Sequence, residues 1–211
     1  MKAYLFDFDG TLVDSMPTFA SVMLRILDEQ KVPYDADIIK IITPLGYKGT
    51  AEYYKKLGME ISVEECMGYM NRYCLHEYTY NIQAKANVES VLKKLKGQGA
   101  SLNVLTASPH TMLDPCLNRL GLFDLFDNVW SCDDFGTTKS NPEIYKMAAE
   151  RIGVPVEEVL FLDDNFNADR AAIQAGMKVC GVNDPSSAEY EEIMKKQADF
   201  YIYDFCELLE I

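Results

Sequence analysis

The sequence is short of positive charge. Its 211 residues include 20 Lys and Arg against 33 Asp and Glu, which gives a formal net charge of −13. Nucleic acids and anionic membranes both require a basic surface, so this balance argues against either as a partner. An anionic ligand must therefore meet positive charge that is concentrated at one place.

Long apolar runs and paired cysteines are also absent from the sequence. No apolar run approaches the length that spans a membrane, and the amino-terminal residues show no signal-peptide pattern, so we expect a cytoplasmic protein. The 6 cysteines include no Cys-x-x-Cys pair, which argues against a zinc site and a disulfide framework. The length suits one domain with an insertion, or two modest domains.

One apolar run stops abruptly at acidic residues and a glycine. Residues 4–15 read Tyr-Leu-Phe-Asp-Phe-Asp-Gly-Thr-Leu-Val-Asp-Ser, which suits a strand that is buried on both faces. Because side chains two apart on a strand point the same way, we expect Asp7 and Asp9 to share one side at its carboxyl end. Their mutual repulsion predicts a hard divalent cation with oxygen ligands, such as magnesium, between them.

The rest of the sequence divides into a helical part and an alternating part. Apolar residues at spacings of three and four predict helices after Ser15, which is a suitable N-cap, and then over residues 37–42, 50–57 and 62–80. Helices and strands alternate from residue 87 onward, which predicts βαβ units and a parallel sheet. The predicted strands cover residues 101–106, 129–131, 159–162, 179–182 and 200–203. We therefore predict an α/β core domain of residues 1–14 and 84–211, with a small helical domain of residues 15–83 inserted into it.

The first motif, Asp7-Phe8-Asp9-Gly10-Thr11, resembles that of the haloacid dehalogenase superfamily, which is Asp-x-Asp-Gly-Thr after an apolar strand. Thr106 is similar to the hydroxyl residue of the second motif, which holds a phosphoryl oxygen together with the next backbone N–H, here that of Ala107. The usual Asn of the family is replaced by this alanine. Lys139 is similar to the lysine of the third motif, and Asp163-Asp164 to the acidic pair of the fourth.

The resemblance implies a Rossmann-like parallel sheet core whose inserted helices form a cap domain, as in the branch of phosphoglycolate phosphatase and β-phosphoglucomutase. It further implies that Asp7 attacks phosphorus to form an aspartyl phosphate, while Asp9 protonates the leaving alcohol and then activates water. Asp7, Asp9, Asp164 and Asp163 would form the magnesium site, with Asp164 as a direct ligand and Asp163 as an indirect one. Lys139 would neutralise the phosphate and the attacking carboxylate.

One expected ligand position of the magnesium site differs from a common version of the fourth motif of the family. That version has an acid or Asn four residues after the ligand, where this sequence has Ala168. Asp169 is one residue later, and we expect it to face elsewhere, so that Asn165 or a water completes the shell. In the helical insertion, Lys48 is a candidate for contact with the substrate, which would be a small phosphorylated metabolite such as phosphoglycolate or a sugar phosphate. We expect a monomer or a weak homodimer.

Several alternatives to a phosphatase are open. A haloacid dehalogenase and a phosphonoacetaldehyde hydrolase both lack an acid at the position of Asp9, which counts against them. A sugar phosphomutase of the β-phosphoglucomutase type uses a His early in the first cap helix, where this sequence has Phe19. A binding protein on a decayed phosphatase fold would not need the full set of motif residues. We predict a magnesium-dependent phosphatase, with the mutase and the binding protein as alternatives.

Overall fold

The computed structural model describes residues 3–211, apart from the side chain of Pro44. Two compact units make up the chain: Met1–Asp14 with Gln83–Ile211, and Ser15–Ile82 between them. Met1 and Lys2 of the predicted core segment lie outside the described residues. Gln83, which the predicted insertion included, belongs to the first unit. No helix in residues 3–211 is both long and apolar enough to cross a membrane.

The inserted unit is helical, with its helices packed through their apolar stripes. Its helices are α1 (Met16–Glu29), α2 (Ile38–Ile42), α3 (Gly46–Lys56) and α4 (Val63–Tyr80). The buried Tyr54 of α3 donates a hydrogen bond from its hydroxyl to the Met23 carbonyl of α1 at 3.1 Å, which ties these two helices together. Ser62 caps α4 by accepting from the Glu65 backbone N–H at 3.0 Å, as its sequence predicts. Ser15 makes no such cap, and its buried hydroxyl has no hydrogen-bond partner among residues 3–211.

The other unit is built on a parallel sheet of six strands, which confirms the predicted α/β fold class. The strand order is β3-β2-β1-β4-β5-β6, with β1 in the middle. The strands are β1 (Ala3–Phe6), β2 (Ser101–Thr106), β3 (Asn128–Ser131), β4 (Val159–Asp163), β5 (Lys178–Val182) and β6 (Phe200–Ile202). The helices between them are α5 (Val88–Gly97), α6 (His110–Arg119), α7 (Glu143–Ile152), α8 (Phe166–Ala175) and α9 (Glu191–Gln197).

Strand β1 is buried on both faces, as its continuous apolar run predicts. Ala3 and Leu5 belong to an apolar core that also contains residues of α7 and α8. On the opposite face the Tyr4 and Phe6 rings stack 5.9 Å apart, and Phe6 also meets Phe126 at 6.2 Å. Burial of this strand fixes the position of the residues that directly follow it.

The carboxyl ends of the strands bring polar residues to one edge of the sheet. The chain runs from β1 to β2 on one side and reaches β4 on the other, so this edge contains the point where the strand order reverses. Open α/β sheets bind ligands at such points. Asp7 follows β1, Thr106 ends β2 and Asp163 ends β4.

The chain leaves the sheet unit and returns to it at neighbouring residues. The Asp14 N–H donates to the Gln83 carbonyl at 2.9 Å, and an antiparallel bridge joins Val13 to Ala84. The insertion is therefore closed at its base by a short antiparallel ladder.

Candidate active site

Asp7 is held at the centre of the carboxyl edge by the sheet itself. Its backbone N–H donates to the Leu162 carbonyl at 2.8 Å, which extends the pairing of β1 with β4 by one residue. The Asp7 side chain is buried, and its position beside the end of β4 brings it close to Asp163 and Asp164. A carboxylate at this point lies where the fold places ligands.

Lys139 supplies the local positive charge that the acidic sequence requires. Its ammonium lies 2.6 Å from Oδ1 of Asp7 and 2.7 Å from Oδ2 of Asp163. Although burial opposes the charged form, these two carboxylates hold the pKa of Lys139 well above its usual value. The Tyr145 hydroxyl of α7 lies 2.9 Å from the Lys139 carbonyl and 3.0 Å from the Ala168 carbonyl, so it links the lysine to α8.

Three buried carboxyl groups lie close enough to share one cation. One oxygen from each of Asp7, Asp163 and Asp164 falls within 4.8 Å of the others. Burial and the neighbouring Asp163 raise the pKa of Asp7 to about 7, against the opposing effect of Lys139. Burial, Asp163 and Asp7 also raise the pKa of Asp164 well above its usual value. One lysine does not offset three carboxylates, and an all-oxygen donor set is the kind that Mg²⁺ prefers, so these residues fit a magnesium ion.

The two acids after β4 differ in their surroundings. Asp163 is engaged at both oxygens, because Oδ2 accepts from Lys139 and Oδ1 accepts from the Asn165 N–H at 2.7 Å. Asp164 instead accepts at Oδ1 from the Thr11 hydroxyl at 3.1 Å. Gly10 has a φ of +75°, and a Cβ atom there would lie 2.5 Å from Oδ2 of Asp164, so only glycine allows this approach. These contacts are compatible with Asp164 as a direct ligand and Asp163 as an indirect one.

Asp9 does not share the position of Asp7. Its carboxylate lies outside the group of three, and Oδ2 accepts a hydrogen bond from the Ser108 hydroxyl at 2.5 Å. The cation predicted between the two carboxylates of the first motif, with Asp9 among its ligands, stays a prediction, and the carboxyl groups that lie together are those of Asp7, Asp163 and Asp164. The chain bends at Phe8, two residues after the end of β1, so the alternation of strand side chains does not continue to Asp9.

Thr106 and Ala107 lie at the end of β2, on the other side of β1 from the acidic pair. The Thr106 side chain is buried, and its hydroxyl oxygen accepts from the Ser108 N–H at 3.1 Å. Since this oxygen is the acceptor in that bond, the bond does not use the hydroxyl proton. Ala107 is exposed.

Three residues after Asp164 bear on the predicted far side of the magnesium shell: Asn165, Ala168 and Asp169. The Asn165 side chain caps α8 by accepting from the Asn167 and Ala168 N–H groups at 2.9 and 3.3 Å. Ala168 is buried in the apolar core. Asp169 is also buried, and neither carboxylate oxygen has a hydrogen-bond partner within residues 3–211. Burial, then Asp163 and Asp164, raise its pKa well above its usual value, so Asp169 lies within electrostatic range of the acidic pair.

Two residues that the sequence singled out belong to the helical unit. Lys48 lies within α3, and its exposed ammonium is 4.0 Å from a Glu52 oxygen. Its predicted contact with substrate stays a prediction. Phe19 of α1 stacks on the Tyr47 ring, with the ring centroids 6.3 Å apart.

Sequence reasoning gave no role to three residues that contact the site, which are Thr11, Ser108 and Tyr145, and it placed Asp169 away from the acidic pair. Thr11 lies inside the first motif, and Ser108 is two residues after Thr106. Closeness in sequence to a motif residue could therefore have pointed to both. Tyr145 gave no signal, because it reads as one apolar residue on the buried stripe of α7.

The parallel sheet, with a buried aspartate after β1 and a lysine beside that aspartate, places the chain among the α/β proteins. Residues 1–176 match the family model of haloacid dehalogenase-like hydrolases. The chain belongs to the haloacid dehalogenase-like hydrolase family.

Curated relatives in this family include phosphatases. The phosphoglycolate phosphatase of Colwellia psychrerythraea is 27% identical over 86% of this chain and 84% of its own length. The pyrophosphatase PpaX of Bacillus velezensis is 28% identical over 86% of this chain and 83% of its own length. A crystal structure of a predicted phosphoglycolate phosphatase from Haemophilus somnus has a TM-score of 0.83 at 24% identity, covers 100% of this chain and 97% of the other, and shows the shared fold. Family membership and these relatives support a phosphatase.

Proposed function

We propose that this protein is a magnesium-dependent phosphatase that hydrolyses a small phosphorylated metabolite through an aspartyl phosphate on Asp7. The observation that carries the proposal is the contact of the Lys139 ammonium with Asp7 and Asp163, beside the three carboxyl groups that can share one cation. This arrangement concentrates positive charge at one point of an acidic protein. Without it, a phosphate dianion would be repelled from the Asp7 carboxylate.

Asp7 would act as the nucleophile. Its carboxylate attacks phosphorus, and the bond between phosphorus and the leaving alcohol oxygen breaks. Lys139 reduces the repulsion between the attacking carboxylate and the phosphate, and the buried site strengthens that effect. A bound magnesium ion would supply further charge neutralisation and would orient the phosphate. The residues that would hold it are Asp7, Asp9, Asp164 and, indirectly, Asp163.

Thr106 and Asp9 would act on the oxygens of the reacting group. The Thr106 hydroxyl and the Ala107 N–H would bind a phosphoryl oxygen. Asp9 would donate a proton to the leaving alcohol, and as the resulting carboxylate it would accept a proton from the water that attacks the aspartyl phosphate. One residue serves both steps, because the first step leaves it in the form that the second requires.

The helical unit would serve as the cap that selects the leaving group and excludes water. Lys48 is a candidate for contact with an anionic group of the substrate. The relatives point to small substrates, because one is a phosphoglycolate phosphatase and another a pyrophosphatase. This part of the proposal rests on family resemblance and on the exposure of the lysine.

The test of the proposal is turnover of a generic aryl phosphate with and without Mg²⁺. Asp7→Asn removes the nucleophile and a metal ligand while keeping the size of the side chain, so we expect at least a roughly 100-fold loss of kcat. Asp124→Asn, at an exposed residue, is the control and should retain full activity. Retention of more than a few per cent of turnover in Asp7→Asn would refute the mechanism.

The alternative of a sugar phosphomutase is disfavoured by Phe19. A mutase must keep water from the aspartyl phosphate until the sugar returns, and the Phe19 ring, which stacks on Tyr47, has no hydrogen-bonding group for that purpose. We therefore propose hydrolysis. Supplying β-glucose 1-phosphate with a trace of glucose 1,6-bisphosphate separates the two, and formation of glucose 6-phosphate faster than inorganic phosphate would favour the mutase. A non-catalytic binding protein would release no phosphate from any substrate.

A further inference from the structure

Ser108 contacts the candidate acid and base of the site but belongs to none of the motif positions. Its hydroxyl donates to Oδ2 of Asp9, with the two oxygens 2.5 Å apart. We propose that Ser108 is a positioning residue, which holds the Asp9 carboxyl in the orientation that proton transfer requires. This inference rests on the proposed function, because it concerns the residue that would protonate the leaving alcohol.

The segment that carries Ser108 is tied at both ends. On one side, the Ser108 N–H donates to the Thr106 hydroxyl oxygen at 3.1 Å. On the other side, the His110 ring contacts Oδ1 of Asp114 and Oδ2 of Asp134, each at 2.8 Å. A hydroxyl on a segment fixed in this way loses little further freedom when it forms a hydrogen bond, so the bond to Asp9 is well suited to hold an orientation.

The direction of the hydrogen bond also assigns the two oxygens of Asp9 to different tasks. Oδ2 accepts the Ser108 proton, so the proton that is transferred would reside on Oδ1. In the first step Oδ1 gives this proton to the alcohol oxygen as its bond to phosphorus breaks and the bond from Asp7 forms. In the second step Oδ1 takes a proton from water, as the water oxygen bonds to phosphorus and the bond to Asp7 breaks. Ser108 keeps its own proton throughout.

A role in orienting the acid predicts an effect that depends on the leaving group. The p-nitrophenolate anion leaves readily without a proton, whereas an alkoxide requires one as the phosphorus–oxygen bond breaks. Loss of the Ser108 hydroxyl should therefore lower kcat/KM for alkyl phosphates far more than kcat/KM for p-nitrophenyl phosphate. If Ser108 acted only in folding, its loss would lower kcat/KM for both substrates by the same factor.

The experiment compares kcat/KM of Ser108→Ala and the wild type for p-nitrophenyl phosphate and for the faster of 2-phosphoglycolate and β-glycerol phosphate. This ratio reports the steps up to transfer of the phosphoryl group to Asp7. We expect a loss of about 10-fold or more with the alkyl phosphate and of less than about 3-fold with p-nitrophenyl phosphate. Ser108→Thr keeps a hydroxyl and should recover most of the loss. Ser90→Ala, which removes an exposed hydroxyl on α5, is the matched control.

Equal losses with the two substrates, no loss with either, or a failure of Ser108→Thr to recover activity would each overturn the role of Ser108. These outcomes are distinct from a failure of the proposed function. In that case the wild type itself would release no phosphate in the presence of Mg²⁺, from either class of substrate.

Discussion

The two acids that follow β4 have different amounts of freedom to bind a cation. Asp163 is engaged at one oxygen by Lys139 and at the other by the Asn165 backbone, whereas Asp164 accepts from the Thr11 hydroxyl. A side chain whose oxygens are both engaged is better suited to orient a neighbour than to coordinate directly. This difference leads to a prediction about metal dependence.

Asp164→Ala should raise the magnesium concentration for half-maximal activity at least about 10-fold more than Asp163→Ala does. The measurement is a magnesium titration of phosphatase activity, with the magnesium-dependent rise in Tm as a second readout. Asp124→Ala, at an exposed position, serves as the control. Equal effects, or the reverse order, would show that the assignment of the acidic pair is off by one residue.

Asp169 is a buried carboxyl group whose nearest charged neighbours are mainly acidic. Both of its oxygens lack a hydrogen bond within residues 3–211, and the acids nearby are repulsive when ionised. Burial of an unpaired polar group lowers the free energy of unfolding. The cost is expected to be largest when no cation is bound.

Asp169→Leu should therefore stabilise the metal-free protein, by about 1–3 kcal/mol. Because the pKa of Asp169 is raised, the folded chain keeps a proton that the unfolded chain loses above about pH 4, so wild-type stability falls as pH rises through this range. The increase in the free energy of unfolding that Asp169→Leu gives should therefore grow as pH rises. Urea unfolding with EDTA measures it, and Asp169→Asn, which keeps an unpaired polar group, is the control. Destabilisation by Leu that is constant with pH would show that the carboxyl has a partner.

At the scale of elements, His110 joins the start of α6 to the turn after β3. Its ring lies between Asp114 of α6 and Asp134, and Asp134 also accepts at Oδ2 from the Ser131 N–H at 2.8 Å. Hydrogen bonds to Asp114 and then to Asp134 raise the pKa of His110. The charged imidazolium is thus the form that holds the two elements together.

His110→Gln should lower Tm in a pH-dependent way. A raised folded pKa means that the contribution is complete below the unfolded value, near pH 6.5, and is lost as pH rises through the folded value. Because the ring is 39% exposed, solvent screens the pair, and we expect a deficit of about 1–3 °C at about pH 6 that disappears at about pH 9. Thermal unfolding of the wild type, His110→Gln and the control His76→Gln measures this. A deficit of equal size at both pH values would contradict the explanation.

The sequence predicts the elements well where the apolar pattern is strong. The strands at β1, β2 and β4 follow from short apolar runs that end at polar residues, and the motif residues follow from the ends of those strands. The sequence does not predict the start of a helix correctly where a glycine can either end a helix or begin one. Gly46 reads as a helix breaker, yet α3 begins there with a φ of +63°, four residues before the predicted start.

The geometry of the site could be predicted only in part for a similar reason. Proximity of Asp7 to Asp163 and Asp164 follows from parallel strands whose ends meet at one edge. The orientation of Asp9 depends on how the chain turns after β1, and the contact of Tyr145 depends on the packing of α7 against α8. Neither the Asp9 orientation nor the Tyr145 contact can be predicted from the hydrophobic periodicity of a single helix or strand.

At the scale of the whole molecule, the net charge of −13 acts on every anionic ligand before it reaches the site. A negative field lowers the local concentration of a phosphate dianion and slows its association. Salt screens that field over about 10 Å at an ionic strength of about 0.1 M. Lys139 acts only at close range, so it does not remove this barrier.

Activity toward a dianionic aryl phosphate should therefore rise with salt. At a fixed, saturating magnesium concentration, kcat/KM should increase about 2-fold to 3-fold between roughly 10 mM and 150 mM added potassium chloride. The change should be in KM, because kcat reports the bound complex. A fall in kcat/KM over the same range would indicate that surface lysines such as Lys48 attract the substrate more than the net charge repels it.

The antiparallel pairing of Val13 with Ala84 means that the whole helical unit is inserted between two paired segments, as a loop is in a β-hairpin. Because its two ends are already paired, by the Asp14 N–H and the Gln83 carbonyl among others, lengthening or exchanging the loop leaves the strands on either side in register. The entropy of closing a loop grows only with the logarithm of its length, so each doubling costs about 0.6 kcal/mol. Insertions of different size can thus be accommodated at this one point for little loss of stability, while the Asp7 edge of the sheet stays intact.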